Sequence, residues 1–185
     1  MPNWCFNNLS VYGPESDLTN FLSKVRKDEK QYIDFNGLIP MPEELIGTTA
    51  PNPDPESEKS QELRAKYGAD DWYDWCLKNW GTKWNANPID DWEVVEDKTS
   101  AQIYFDTAWC QPTEWLLNAS KIYPNLSFDL DYYEEGNCFI GHYNIKNGEF
   151  KAKNEPEWDS EEGIILRKDA GIYEEESEES EEEDE

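Results

Sequence analysis

The clearest patterning along the chain is alternation. Residues 101 to 109 place Ala101, Ile103, Phe105 and Trp109 on one face and Gln102, Tyr104 and Asp106 on the other, the two-residue period of a half-buried strand. Residues 126 to 133 set Leu126, Phe128, Leu130 and Tyr132 against Ser127, Asp129, Asp131 and Tyr133. At the start of the chain, Cys5, Asn7, Leu9 and Val11 oppose Trp4, Phe6, Asn8 and Tyr12, and the run is closed by Gly13-Pro14. The period then lengthens. Leu18, Phe21, Leu22 and Val25 recur at helical spacing, with acidic residues in the first turn and Lys24, Arg26 and Lys27 in the last, which suits the helix dipole. A second helix is expected from Thr113 through Leu116, Ala119 and Ile122 to a stop at Pro124. Trp92, Val94 and Val95 precede the alternating run across a polar turn at Asp97-Lys98, so 92 to 106 reads as a hairpin. Residues 138 to 145 read as a further strand, joined through Glu134-Glu135-Gly136-Asn137.

The order is strand, helix, strand, strand, helix, strand, with one extra C-terminal strand. That is the α+β, ferredoxin-like split βαββαβ arrangement, an antiparallel sheet carrying both helices on one face. The strand at 4 to 12 is expected between those at 101 to 109 and 126 to 133. A helical insertion of roughly 30 to 90 follows the first helix, with a proline-rich loop at 51 to 55 and helices at 56 to 67 and 69 to 79. In the second of these, Tyr73, Leu77 and Trp80 share one side and Trp72, Trp75, Cys76 and Asn79 another. An all-round apolar helix needs cover on two sides, and the sheet face left bare by the core helices is its expected seat, burying Trp4, Phe6, Asn8 and Tyr12. The chain thus divides into a ferredoxin-like domain at 1 to 150, an irregular extension at 151 to 173 and a disordered acidic tail at 174 to 185.

Charge narrows the partners. The chain of 185 residues carries a formal charge of −26, and removing the ten acidic groups of the tail, EEESEESEEEDE, still leaves −16 on the body. Such a field repels phosphates, since nucleic-acid affinity comes largely from Lys and Arg displacing counterions. Direct nucleic-acid binding is therefore disfavoured and a basic partner favoured. The tail has almost no apolar content and is expected to stay a solvated brush. No basic-apolar leader and no run of membrane-spanning length occurs, so a cytoplasmic protein is expected. Four cysteines at 5, 76, 110 and 138 form no C-x-x-C pair, and His142 stands alone. A zinc site is not expected, nor any cofactor, and the thiols read as reduced and buried.

Candidate chemistry lies in Trp/Asn-rich blocks: Asn3 to Leu9, Asn79 to Ala86 and Thr107 to Cys110. Lys83, Trp84 and Asn85, with Trp109, form the candidate ligand-binding set, a cation beside an aromatic wall between insertion and sheet. The plainer alternative is that Trp80 and Trp84 staple the insertion to the sheet while Asn85 and Lys83 satisfy backbone groups. Asp106, Glu134 and His142 carry acid and base groups, but nothing in their spacing brings them together. There is no glycine-flanked nucleophile elbow, Walker loop or dinucleotide fingerprint, so no catalytic residue is assigned.

The opening Met1-Pro2-Asn3-Trp4-Cys5-x-Asn7-x-Leu9-x-Val11-x-Gly13, the segment Pro40-Met41-Pro42-Glu43-Glu44-Leu45, the block Asn79 to Ala86, Thr107-Ala108-Trp109 with Pro112, and Glu134-x-Gly136-x-x-Phe139-x-Gly141 together resemble the bacterial, plasmid and phage family defined by a YubB-type, Api-like ferredoxin-like domain. The resemblance spans about residues 1 to 145 and leaves 146 to 185 outside. It implies the ferredoxin-like fold and a mobile-element setting with an accessory or counter-defence role, and it carries no reaction. Two function classes follow: an acidic, noncatalytic interaction protein that mimics phosphate charge toward a basic host protein, and a small-ligand or nucleotide binder using the Trp/Asn/Lys block.

Overall fold

The computed structural model describes residues 2–27, 33–89 and 95–172. Strand β1 (Trp4–Tyr12) leads into helix α1 (Glu15–Val25). The insertion carries single 3-10 turns at Phe35–Gly37 and Glu43–Leu45 and helices α2 (Glu58–Tyr67) and α3 (Trp72–Asn79). Short strands β2 (Asn87–Pro88) and β3 (Val95–Glu96) precede β4 (Ser100–Ala108), helix α4 (Thr113–Ile122), β5 (Ser127–Glu134), β6 (Phe139–Lys146), β7 (Glu149–Asn154) and helix α5 (Glu161–Asp169).

The sheet runs β2-β4-β1-β5-β6-β7, with β3 also pairing β4. Trp4 lies opposite Ala108 and Tyr12 opposite Ser100, while Phe6 lies opposite Tyr133 across β5. The core order β5-β1-β4-β3 is that of the ferredoxin-like split βαββαβ sheet, and β1 sits where alternation placed it. Residues 90–94 lie outside the described residues, so of the expected 92–106 hairpin the arm at Val95–Glu96 is seen, opposite Ala101 and Gln102.

Alternation decides the layering. Cys5, Leu9, Val11, Ile103, Phe105, Phe128 and Leu130 are buried on one side with Leu18, Phe21 and Val25 of α1 and Trp115, Leu116 and Ala119 of α4. Phe21 packs edge-on against Phe128 at 5.4 Å. Asn7 is buried on this side too, where its Nδ2 donates to Cys5 O at 2.8 Å, Phe105 O at 3.2 Å and Thr107 Oγ1 at 2.9 Å, which offsets the desolvation of the amide N–H groups, while its buried Oδ1 has no partner among the described residues.

Several expectations are corrected. Among the described residues, the insertion does not cover the bare sheet face. Phe35 packs against Trp115 at 4.9 Å, Trp80 at 5.7 Å and Phe105 at 6.1 Å, so the insertion extends the helical layer beside β4. Helix α3 is consequently buried on one side only: Trp75 and Cys76 are inside, while Tyr73 and Leu77 are exposed. Two extra strands follow the core, not one, and the part of the expected irregular 151 to 173 segment that is described is ordered, because β7 ends at Asn154 and α5 follows. The connection between them is pinned by Glu155, whose Oε1 accepts from the hydroxyls of Tyr132, at 2.8 Å, and Tyr143, and whose Oε2 lies 2.7 Å from Lys153 Nζ. Residues 173–185 lie outside the described residues, so the acidic tail is not part of this account. Among the described residues, no helix is long and apolar enough to cross a membrane.

Candidate functional site

The Trp/Asn-rich blocks meet at one end of the sheet. Trp80 is buried, and its Nε1 donates to Ile39 O at 3.0 Å. Gly81 turns the chain at a φ of +81°, and a Cβ there would lie 2.9 Å from the backbone nitrogen of Glu114; the left-handed conformation and the close approach both require glycine. Thr82 Oγ1 donates to Ala108 O at 2.9 Å. Asn85 Oδ1 accepts from the backbone nitrogens of Phe35 at 2.8 Å and Ala86 at 2.9 Å, and its Nδ2 donates to Asp34 at 2.7 Å. These bonds hold the insertion against β4 and the start of α4.

The four predicted ligand-binding residues are therefore split by role. Asn85 is committed to backbone and to Asp34. Lys83 Nζ lies 4.5 Å over the ring of Trp84, which stands 6.2 Å from Trp4. Trp109 is not in line with Phe105, because β4 ends at Ala108 and Trp109 turns at a φ of +74°, its nitrogen donating to Asn3 O at 3.0 Å; its side chain is 45% exposed. None of the four lines the groove described next.

That groove lies on the opposite, open face of the sheet and has a volume of about 400 Å³. Its floor is Phe6 and Asn8 of β1, Tyr104 of β4, and Asp131 and Tyr133 of β5; Ile140 flanks it, and Leu166, Asp169 and Ala170 at the end of α5 form one wall. Phe6 lies 5.0 Å from Tyr133 at 32° and 6.1 Å from Tyr104 at 34°, so three rings form a tilted row across adjacent strands. Asn8 Oδ1 accepts from Gln102 Nε2 at 2.9 Å.

Carboxylates surround this row. Asp106 stands opposite Phe6 in the sheet register, and burial pushes its carboxyl up to about 6. Tyr133 is raised as well, first by burial and then by the charges of Glu135 and Asp106. Asp131 Oδ1 is 2.7 Å from His142 Nδ1, and Asp129 Oδ1 is 3.7 Å from His142 Nε2. Among the described residues no lysine or arginine lines the groove. A π-face row with anionic neighbours is suited to a cation, not to a phosphate.

The acid and base candidates are not gathered. Asp106 and His142 share the open face but sit three strands apart, about 14 Å at the usual strand spacing. Glu134 is buried on the other side, accepting from the backbone nitrogens of Gly136 and Asn137, each at 2.7 Å. Cys5 and Cys76 are buried, and burial raises the thiols of Cys5, Cys76 and Cys110, that of Cys76 to about 12. Such thiols are poor nucleophiles. Cys138 departs from the expected burial and is exposed. Asp70, Asp71 and Asp74 bring ligand atoms within 4.8 Å of one another. However, Asp70 accepts from Arg64 at 2.8 Å and Asn52 at 2.7 Å, and Asp71 caps α3 through the Asp74 nitrogen at 2.9 Å, so local structure accounts for both buried groups.

Residues 79–185 match a family model described as the ferredoxin-like domain in Api92-like protein. The chain belongs to this Api92-like family. The match differs in extent from the one read from the sequence, because it includes β7, α5 and the residues beyond them, while 1–78 lie outside it. Among solved structures, the chain is similar to a crystal structure of the protein api92 from Yersinia pseudotuberculosis, with a TM-score of 0.49 and 10% identity over 86% of this chain and 99% of that one. No curated protein matches. Residues of the groove floor were legible as the outward sets of three alternating strands; the wall from α5 was not, because Ile164 and Ile165 are exposed and give that helix no single apolar stripe.

Proposed function

We propose that this Api92-like protein is a noncatalytic interaction protein that engages a basic protein through the open face of its sheet. The observation that carries the reading is the groove lined by Phe6, Tyr104 and Tyr133 with Asp131 and Asp169, where Asp106 stands opposite Phe6 in the sheet and no lysine or arginine lines it among the described residues. The body's own negative charge supports it, since a field of one sign steers a basic partner and repels nucleic acid. In a mobile-element setting, the partner class that fits is a host protein with a nucleic-acid groove, occupied by mimicry of phosphate charge in a counter-defence role.

The small-ligand reading keeps one support, the pairing of half-buried Lys83 with exposed Trp84 beside Trp4. It ranks second because Asn85 supplies no free polar group there.

Immobilised full-length protein incubated with host lysate tests the first reading. Basic proteins are expected to be retained at low salt and released steeply as ionic strength rises, because exposed charges are screened over about 8 Å at physiological salt. Retention of salt-insensitive partners alone contradicts it.

A further inference from the structure

We infer that His142 sets the charge of the open-face groove. With its imidazole neutral, the groove presents the carboxylate of Asp131 to a basic partner; with it protonated, that carboxylate is neutralised and the partner is released as pH falls toward 5. The inference rests on the interaction reading above and adds a regulation to it.

The geometry is a short ladder across β5 and β6. Asp131 stands directly opposite His142, and Asp129 opposite Asn144. Nδ1 of the ring lies 2.7 Å from Asp131 Oδ1, and Nε2 lies 3.7 Å from Asp129 Oδ1. A carboxylate only accepts, so the shorter contact places a proton on Nδ1. In the neutral ring Nε2 is then an acceptor turned toward another acceptor. A second proton makes it a donor, and the ring bridges both carboxylates of β5. Asp129 is also held by Asn144 Nδ2 at 2.8 Å, whereas Asp131 lines the groove with a side chain that is 61% exposed. The change of charge at His142 is therefore felt where a partner would sit, although the ring itself stands behind Asp131 and not in the groove lining.

The neighbouring elements bring mostly negative charge. On β7, Asn154 stands opposite His142 and donates to Glu162 of α5 at 2.9 Å. Asp169 of the same helix lines the groove. Arg167 of α5 is engaged by the ring of Trp158 at 4.8 Å and by Asp159 at 3.8 Å. Among the described residues no lysine or arginine lines the groove, so His142, the chain's one histidine, is the group that adds a positive charge to this corner. Imidazole is the side chain that ordinarily changes charge between pH 5 and 8. Asp106, on the same face, titrates in that range as well, because burial pushes its carboxyl up to about 6, and its effect must be separated from that of His142.

The test has two arms, both on full-length protein. In the first, NMR follows the carboxyl carbon of Asp131 and the ring carbons of His142 from pH 5 to 8. The Asp131 signal is expected to shift with the same midpoint as the ring and to lose that step in His142→Gln. An Asp131 signal indifferent to the ring overturns the inference. In the second arm, a nine-residue peptide alternating Arg and Gly, capped at both ends, is titrated calorimetrically at pH 7.5 and 5.5 in low salt. Asp106→Asn is the reference protein, which removes the competing titration, and the ratio of affinities at the two pH values is read. That ratio is expected to be about threefold, in the range of one exposed ion pair, and to fall below about 1.5-fold when His142→Gln is added. Equal affinities in the reference protein, or an undiminished ratio after His142→Gln, overturns the switch and leaves the basic-partner reading standing. Failure of the peptide to bind the unmodified protein at either pH overturns both.

Discussion

Replacing Trp80 with alanine is expected to lower the free energy of unfolding by about 3 to 5 kcal/mol, the usual cost of truncating a large buried aromatic. Trp80 is 2% exposed, packs against Phe35 at 5.7 Å and Trp75 at 5.4 Å, and donates to Ile39 O at 3.0 Å. Its removal opens a cavity where the insertion meets the helical layer and strands a carbonyl. Lys83→Ala three residues away is expected to change stability by less than about 0.5 kcal/mol, because Lys83 is only partly buried and the Trp84 ring beneath it is exposed. Urea denaturation of the two variants makes the comparison. Losses of equal size would mean that Lys83 is part of the staple.

Asp106→Asn is expected to stabilise the free protein at pH 7. Burial raises the Asp106 carboxyl from 3.8 to about 6, so ionising it costs more in the folded chain than in the unfolded one. A two-unit shift corresponds to about 3 kcal/mol, and water screening of this partly exposed group reduces that to about 1 to 2 kcal/mol. Because the folded value is raised, the contribution of the neutral acid is present below about pH 4 and is lost as pH rises through 6. The asparagine variant has no such loss. Thermal midpoints of the two proteins should therefore nearly coincide near pH 4 and separate in the variant's favour by pH 7. A variant less stable at pH 7 would show that the carboxylate already has a donor in the free protein.

The legible part of the fold was the part with one buried face. β1, β4 and β5 each bury every second residue, and a period of two survives in the sequence whenever that happens. Strand β7 buries neither face: Glu149 to Lys153 are all exposed, so no alternation marks it. Trp109 was placed in line with Phe105 because an apolar residue at an odd position looks like a continued strand; the positive φ that turns it outward has no signature in the alternation. The insertion was placed on the wrong face for a different reason. Apolar content shows that a helix needs cover but not which surface supplies it, and the answer depended on Phe35 reaching Trp115 and Phe105. Asn85 looked like a ligand group because a buried amide needs polar partners; those partners turned out to be the nitrogens of Phe35 and Ala86. That Phe6, Asn8 and Tyr104 lie on outward sets of alternating strands was readable in the sequence, whereas the same reading expected the insertion to cover that face, and the desolvation of Asp106 was not readable.

The most direct measurement is a map of backbone amide shifts in the full-length protein as a basic nine-residue peptide alternating Arg and Gly is added. Binding at the open face predicts changes concentrated in β1, β4 and β5 around Phe6, Tyr104, Asp106 and Tyr133, and at Leu166 to Ala170 of α5. Changes confined to residues 174–185, or to Lys83, Trp84 and Trp109, would contradict it.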